Sequence, residues 1–228
     1  MAPQSISATP KGARRPRTYR SELRQQQAEL TRSKVVSAAA ELFSEHGYAR
    51  TTLAKIAEAA GVSPETVQGH GPKAALMIAA VEYAAIGVSD EEDVLNVEAG
   101  RRFVATQSPD EAIDYFVAAQ TEIHQLTARI APALRDGAAA DAELRSYLQG
   151  LLRSINQQLE RLLGVARERG WLRRDVPFEE LVETLAVISS TDSYLRITQQ
   201  DGWPVDRYRG WLRRMIAESV FGHTHDKQ

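Results

Sequence analysis

Apolar residues recur along this chain at steps of three and four, and polar, glycine and proline breaks divide that rhythm into separate helices. Val35, Ala38, Ala39, Leu42 and Phe43 share one helix face. The periodicity starts near Leu23 and is clear from Thr31, which reads as an N-cap. Gly47, after His46, reads as the C-terminal stop. Thr51 or Thr52 then caps a short second helix with Leu53, Ile56, Ala57 and Ala60 inward, closed by Gly61. Ser63 caps a third, with Pro64 at its first position and Glu65 and Thr66 in its first turn. Gly69, Gly71 and Pro72 follow where that helix should continue or exit, and the glycines are expected to end it early. A fourth helix runs from Lys73 through Leu76, Ile78, Ala79 and Tyr83 to about Ile86.

The acidic stretch 87–108 reads as a loop with a short helix near 99–106. Ser108-Pro109-Asp110-Glu111 is a strong helix start, and the pattern predicts one helix from there to about Asp136, bent at Pro132. DGAAAD reads as a turn, followed by a helix from about Ala142 to Arg169 that Gly170 stops. Pro177 opens another, to about Thr198, and after a DGWP turn the last covers Trp203–Phe221. No strand and no fixed repeat is evident. The expected fold is all-α, with about nine helices.

Composition narrows the class. Hydrophobic residues make up 43% and charged residues 25% of the 228, the profile of a soluble globular protein with a full core. The absence of cysteine excludes disulfides, thiolate metal sites and a thiol nucleophile. No apolar run is long enough to cross a membrane, and the N-terminus lacks a signal-peptide segment, so a cytoplasmic location is expected. Charge is uneven: residues 1–73 carry +5 and residues 74–228 carry −7. Most of the basic excess lies in residues 1–24, around KGARRPRTYR, because residues 25–73 are neutral. Residues 1–24 read as a disordered basic arm and 223–228 as a disordered tail. The arm either follows a DNA groove or backbone or adds nonspecific affinity only.

Two short helices joined at Gly61, locked by Ile56, Ala57, Val62 and Val67 and crossed by the longer helix 31–46, form a helix-turn-helix. An ordinary helical hairpin has the same signs. The stretch TRSKVVSAAAELFSEHGYARTTLAKIAEAAGVSPETV, continuing into GPKAALMIAAVEYA, resembles the N-terminal domain of the tetracycline-repressor-like (TetR) family of transcriptional regulators. The specific match covers about residues 31–84; the remainder agrees only in helix number and length. The resemblance implies a dimer, a DNA head of three helices, and a C-terminal part holding a small-molecule pocket and the dimer interface. It also implies that effector binding shifts the fourth helix and releases the operator.

The sequence departs from the family at the end of the third helix. Two aromatics are missing, and Gln68, Gly69 and His70 lead directly to Gly71-Pro72-Lys73. Lys73 keeps the place of the family's phosphate-touching lysine at the start of the fourth helix. Gln68 suits adenine recognition through its amide, and Gly69 permits close backbone approach. Ala54 stands where some members place a base-reading arginine, with Lys55 beside it. The candidate DNA-contacting residues are Thr31, Thr52, Lys55, Ser63, Glu65, Thr66, Gln68, Gly69, His70 and Lys73, in a DNA-binding domain expected over residues 25–72.

The body, residues 73–222, shows no catalytic constellation, no phosphate loop and no metal-spaced cluster, so neither enzyme activity nor a cofactor is expected. His223 and His225 form a weak metal pattern only. On helix 109–136, Gln120, His124 and Thr127 interrupt an apolar stripe that includes Phe116, and Asp192 interrupts another that includes Ile188. Polar groups on buried faces need partners, in the protein or in a ligand. With Tyr83 and Tyr115, these are the candidate ligand-binding residues. Trp203, Tyr208, Trp211, Leu212, Met215 and Ile216 are the candidate dimer face, with core packing the alternative. The function expected is a dimeric, effector-responsive regulator that represses from a pseudo-palindromic double-stranded DNA operator. The competing reading is a helical interaction protein that kept the fold and lost operator specificity.

Overall fold

The computed structural model describes residues 17–85, 95 and 98–222. These form α1 (Arg17–Arg50), α2 (Leu53–Ala60), α3 (Pro64–Gly69), α4 (Lys73–Ala84), α5 (Glu98–Ala105), α6 (Pro109–Thr127), α7 (Ala131–Ala140) and α8 (Ala142–Glu168). Then come α9 (Phe178–Ile188), α10 (Thr191–Leu195), a π-helical turn (Arg196–Gln200) and α11 (Val205–Ser219). Among the described residues there is no strand, only an isolated bridge between Leu172 and Phe221. No helix among them is long and apolar enough to cross a membrane.

Four expectations are corrected. Helix α1 begins at Arg17, so Thr31 is mid-helix and not a cap; its hydroxyl donates to the Gln27 carbonyl one turn back, at 2.8 Å. Residues 17–24 of the expected arm therefore belong to α1, while residues 1–16 and 223–228 lie outside the described residues. The helix expected to bend at Pro132 is two helices, because Pro132 sits in the first turn of α7, where its missing N–H costs nothing. DGAAAD is not a turn: α7 runs through it to Ala140. Only Asp141 leaves the helical conformation, and its carboxylate caps α8 by accepting from the N–H groups of Glu143 at 2.9 Å and Leu144 at 3.3 Å. The helix expected over 177–198 breaks at Ser190, whose extended backbone and hydroxyl cap α10 through the Ser193 N–H at 3.1 Å. Serine competes well for that role against helix continuation.

Two cores result. The first joins Val35, Phe43, Ile56, Val67, Leu76 and Met77 of α1–α4 to Ile130, Leu134 and Ala138 beside and on α7 and Leu144 on α8. The second joins Ile113 and Phe116 on α6, Leu163 on α8, Leu181 and Leu185 on α9, and Tyr208, Leu212 and Ile216 on α11. Each fully buried large side chain contributes about 1.5–3 kcal/mol. The first core crosses the sequence boundary drawn at residue 72: α4, α7 and the start of α8 pack on the head.

Candidate functional site

In the head, Thr52 caps α2 by accepting from the Lys55 N–H at 3.3 Å. The other candidate cap, Thr51, is buried, and its single hydroxyl proton is within reach of two carbonyl acceptors, Gly47 at 2.9 Å and Leu42 at 3.1 Å. Gly61 turns the corner at φ 66°, a left-handed conformation that glycine adopts without penalty. Ser63 then caps α3, accepting from the Thr66 N–H at 3.2 Å, and the two hydroxyls lie 3.1 Å apart. Within α3 only Val67 is buried, pinning the helix to the first core. Glu65, Gln68 and Gly69 are exposed and Thr66 and His70 half-buried, so one side of α3 is free to meet a partner. The Glu65 carboxyl is held below its ordinary range by its own backbone N–H and by the Ser63 hydroxyl.

Gly69 keeps a helical backbone and is the last residue of α3, so the helix ends early, after six residues. The exit is made by Gly71 at φ 117°, where a side chain would be strained and its Cβ would sit 3.2 Å from that of Ala75. The N–H groups of His70 and Gly71 still bond back to Val67 and Gln68, each at 3.0 Å.

Both candidate lysines lie at the C-terminal end of α1. The Lys55 ammonium donates to the Arg50 carbonyl at 3.0 Å. That of Lys73 is 3.5 Å from the Ala49 carbonyl and 4.2 Å from the centre of the Tyr48 ring. Partial burial pulls the Lys73 pKa down. Thr31 lies about one helical turn before Val35, where the first core begins on α1, and its hydroxyl bonds within its own helix.

The body places its candidates differently from the sequence reading. Gln120 and His124 find their partners within the protein: Gln120 Nε2 donates to the Ser189 carbonyl at 3.1 Å and His124 Nε2 to the same oxygen at 2.8 Å. The Thr191 hydroxyl lies 3.3 Å from His124 Nδ1, which is then the accepting nitrogen. His124 is 1% exposed, and burial pushes its pKa down to about 4, so the ring is neutral at pH 7. The Thr127 hydroxyl donates to the Ile123 carbonyl of its own helix at 2.9 Å. Asp192 is not on a buried stripe; it is exposed and ion-paired with Arg135. Tyr83 is 40% exposed, and Tyr115 and Ile188 are half-buried.

Of the ligand-binding candidates, Phe116 lines an apolar void, together with Phe103, Ile113, Leu162, Leu185 and Ile216 among others. Its volume, about 10 Å³, barely admits one water. Phe103 escaped the sequence reading because α5 is short, whereas the spacing of Leu159, Leu162, Leu163 and Ala166 on α8 signals an inward face.

The expected dimer face is also corrected. Tyr208, Leu212 and Ile216 belong to the body's own core, and Trp203, Trp211 and Met215 are half-buried. The Arg207 guanidinium covers the Trp203 ring at 3.8 Å. Tyr194 stands edge-on to Tyr208 at 5.1 Å, and the Tyr208 hydroxyl is buried without a hydrogen-bond partner.

A capped, tightly turned helix pair with one side open to solvent, mounted on a larger helical body, is the geometry of a helix-turn-helix. Residues 35–80 match the family model of bacterial regulatory proteins, tetR family. Over most of the chain the fold is similar to that of several solved structures. SmeT bound to triclosan is 20% identical over 86% of this chain and 93% of that one, with a TM-score of 0.66. NalD, the secondary repressor of the MexAB-OprM multidrug efflux pump in Pseudomonas aeruginosa, is 21% identical over 89% and 100%, with a TM-score of 0.65. A regulator from Saccharomonospora viridis in complex with choline is 17% identical over 86% and 100%, with a TM-score of 0.63. No curated protein sequence matches the chain.

Proposed function

We propose that this protein is a transcriptional repressor that binds a pseudo-palindromic operator as a homodimer and is released by a small apolar effector. The observation that carries the reading is the presentation of α3: one buried valine fixes it, and Gln68, Gly69 and Glu65 face outward. A two-fold dimer presents two such helices to successive major grooves. Ser63, Thr66, Thr52 and Lys73 then meet phosphates, while Gln68 and the backbone at Gly69 meet base edges. Val187 on α9, 56% exposed, and the half-buried Trp203, Trp211 and Met215 are apolar residues available to a dimer face. The effector site opens by enlargement of the apolar void lined by Phe103 and Phe116, whose lining carries no charge and which at about 10 Å³ holds no more than a water in this state. The multidrug-efflux repressor NalD and the small molecules held by two similar structures support the repressor and effector readings.

The test is selection of bound sequences from a random DNA pool at physiological salt. A recovered pseudo-palindrome that Gln68→Ala degrades at defined base pairs is the expected result. Binding that enriches no sequence and only fades with salt overturns sequence reading by the head.

A further inference from the structure

Tyr48 lies where the head meets the body. Its hydroxyl donates to Asp141 Oδ2 at 3.2 Å, across 93 residues of sequence. The other oxygen of Asp141 is committed to the first N–H groups of α8, so this acceptor is fixed by the helix start. The Tyr48 ring lies against α7 at Gly137, where a Cβ would stand 3.0 Å from Tyr48 Cγ and 2.7 Å from Leu144 Cδ1. Burial and the Asp141 carboxylate push the phenol up to about 12, so it remains a donor at all ordinary pH. One face of the same ring carries the Lys73 ammonium at 4.2 Å, steadied by the Ala49 carbonyl. The body thus holds the tyrosine, and the tyrosine holds the lysine.

We propose that Tyr48 is a positioning residue for DNA binding: it relays the placement of the α7–α8 junction to the ammonium of Lys73. This rests on the reading of Lys73 as a phosphate contact. A lysine has a long, freely rotating stem, and a ring face together with a carbonyl narrows where its charge can lie before DNA arrives. That lowers the ordering lost on binding. A shift of Asp141 or of α7 at Gly137 moves the ring, and with it the charge, so a change confined to the body alters how the head grips DNA.

The experiment measures affinity for a mixed-sequence DNA duplex, and its salt dependence, for Tyr48→Phe, Gly137→Ala, Lys73→Ala and the two doubles with Lys73→Ala. Tyr48→Phe removes one oxygen and keeps the ring. Gly137→Ala adds one methyl to the body, where the backbone is helical but the Cβ would press on Leu144 and the Tyr48 ring. Each is expected to weaken binding by about two- to tenfold, the range of one hydrogen bond. Lys73→Ala is expected to weaken binding and to lower the salt slope by about one per head. In the Lys73→Ala background the other two changes are expected to cost nothing more, the signature of a shared interaction.

Additive losses overturn the relay and leave Lys73 as a phosphate contact. Folded Tyr48→Phe and Gly137→Ala proteins that bind like the parent also overturn it. A Lys73→Ala protein with unchanged affinity and slope overturns the phosphate reading and the relay together. Should Gly137→Ala melt well below the parent, Tyr48→Phe, which preserves shape, decides the question.

Discussion

Arg169, at the end of α8, donates from Nη1 to the Thr106 carbonyl at 2.9 Å and from Nη2 to the Val104 carbonyl at 2.6 Å, and so ties down the end of α5. Its guanidinium also faces the Trp171 ring at 4.8 Å. Phe103 is the buried large side chain of α5, and it lines the apolar void. Truncation to Phe103→Ala is expected to cost about 3–5 kcal/mol and to leave a dry cavity. Chemical denaturation measures the loss, and a rise in melting temperature with added benzene, absent in the parent, reports the cavity. A parent-like response to benzene counts against Phe103 as part of that lining.

Gly69 and Gly71 stand two residues apart, yet substitutions there are expected to act in opposite directions. Gly69 is helical, with open space where a methyl would sit, so Gly69→Ala should stabilise by about 0.5–1 kcal/mol. Gly71 has φ 117° and a close neighbour in Ala75, so Gly71→Ala should destabilise by roughly 1–3 kcal/mol. Thermal unfolding of both variants checks the sign of each. Two variants that melt alike would mean that the helix exit is not fixed at Gly71.

His124 makes stability depend on pH in acid. Its folded pKa, about 4, lies below the ordinary 6.5, so the unfolded chain binds the extra proton between those values. Stability attributable to the neutral ring is complete above about pH 6.5 and declines as pH falls towards 4. The loss is of the order of a few kcal/mol at the acid end. Denaturant melts at pH 7 and pH 5 should differ more for the parent than for His124→Gln. Equal differences would assign the acid sensitivity to other groups.

Arg213 joins α11 to α6 through Asp114 at 2.6 Å and Asp110 at 2.8 Å. These partners are well exposed, so despite the short distances Arg213→Met is expected to cost at most about 1 kcal/mol. That cost should shrink further in high salt. A loss of several kcal/mol in urea titration would mean that this pair locks the last helix more firmly than surface ion pairs usually do.

Features that depend on neighbours along the chain were legible from the residues. Ser63 and Thr52 cap their helices because a side-chain oxygen need only reach an N–H three residues on. Gly61 and Gly71 mark exits because their conformations penalise any Cβ. The periods of α1 and α2 revealed which of their faces turn inward, whereas on α4 Met77 and Ala80 are buried and Tyr83 is exposed. What each inward face meets was settled by packing in three dimensions. Gln120 and His124 interrupt an apolar stripe, and the carbonyl of Ser189, which answers them, comes from a helix end 65 or more residues away. Tyr208, Leu212 and Ile216 have the composition of an interface but pack inside the body, because α6 and α10 arrive to cover them. Asp-Gly at 136–137 has the composition of a turn, yet it stays helical, where the missing Cβ makes room for Tyr48. A periodic pattern records that a residue is buried; its partner depends on packing between segments far apart in sequence, where local spacing carries no information.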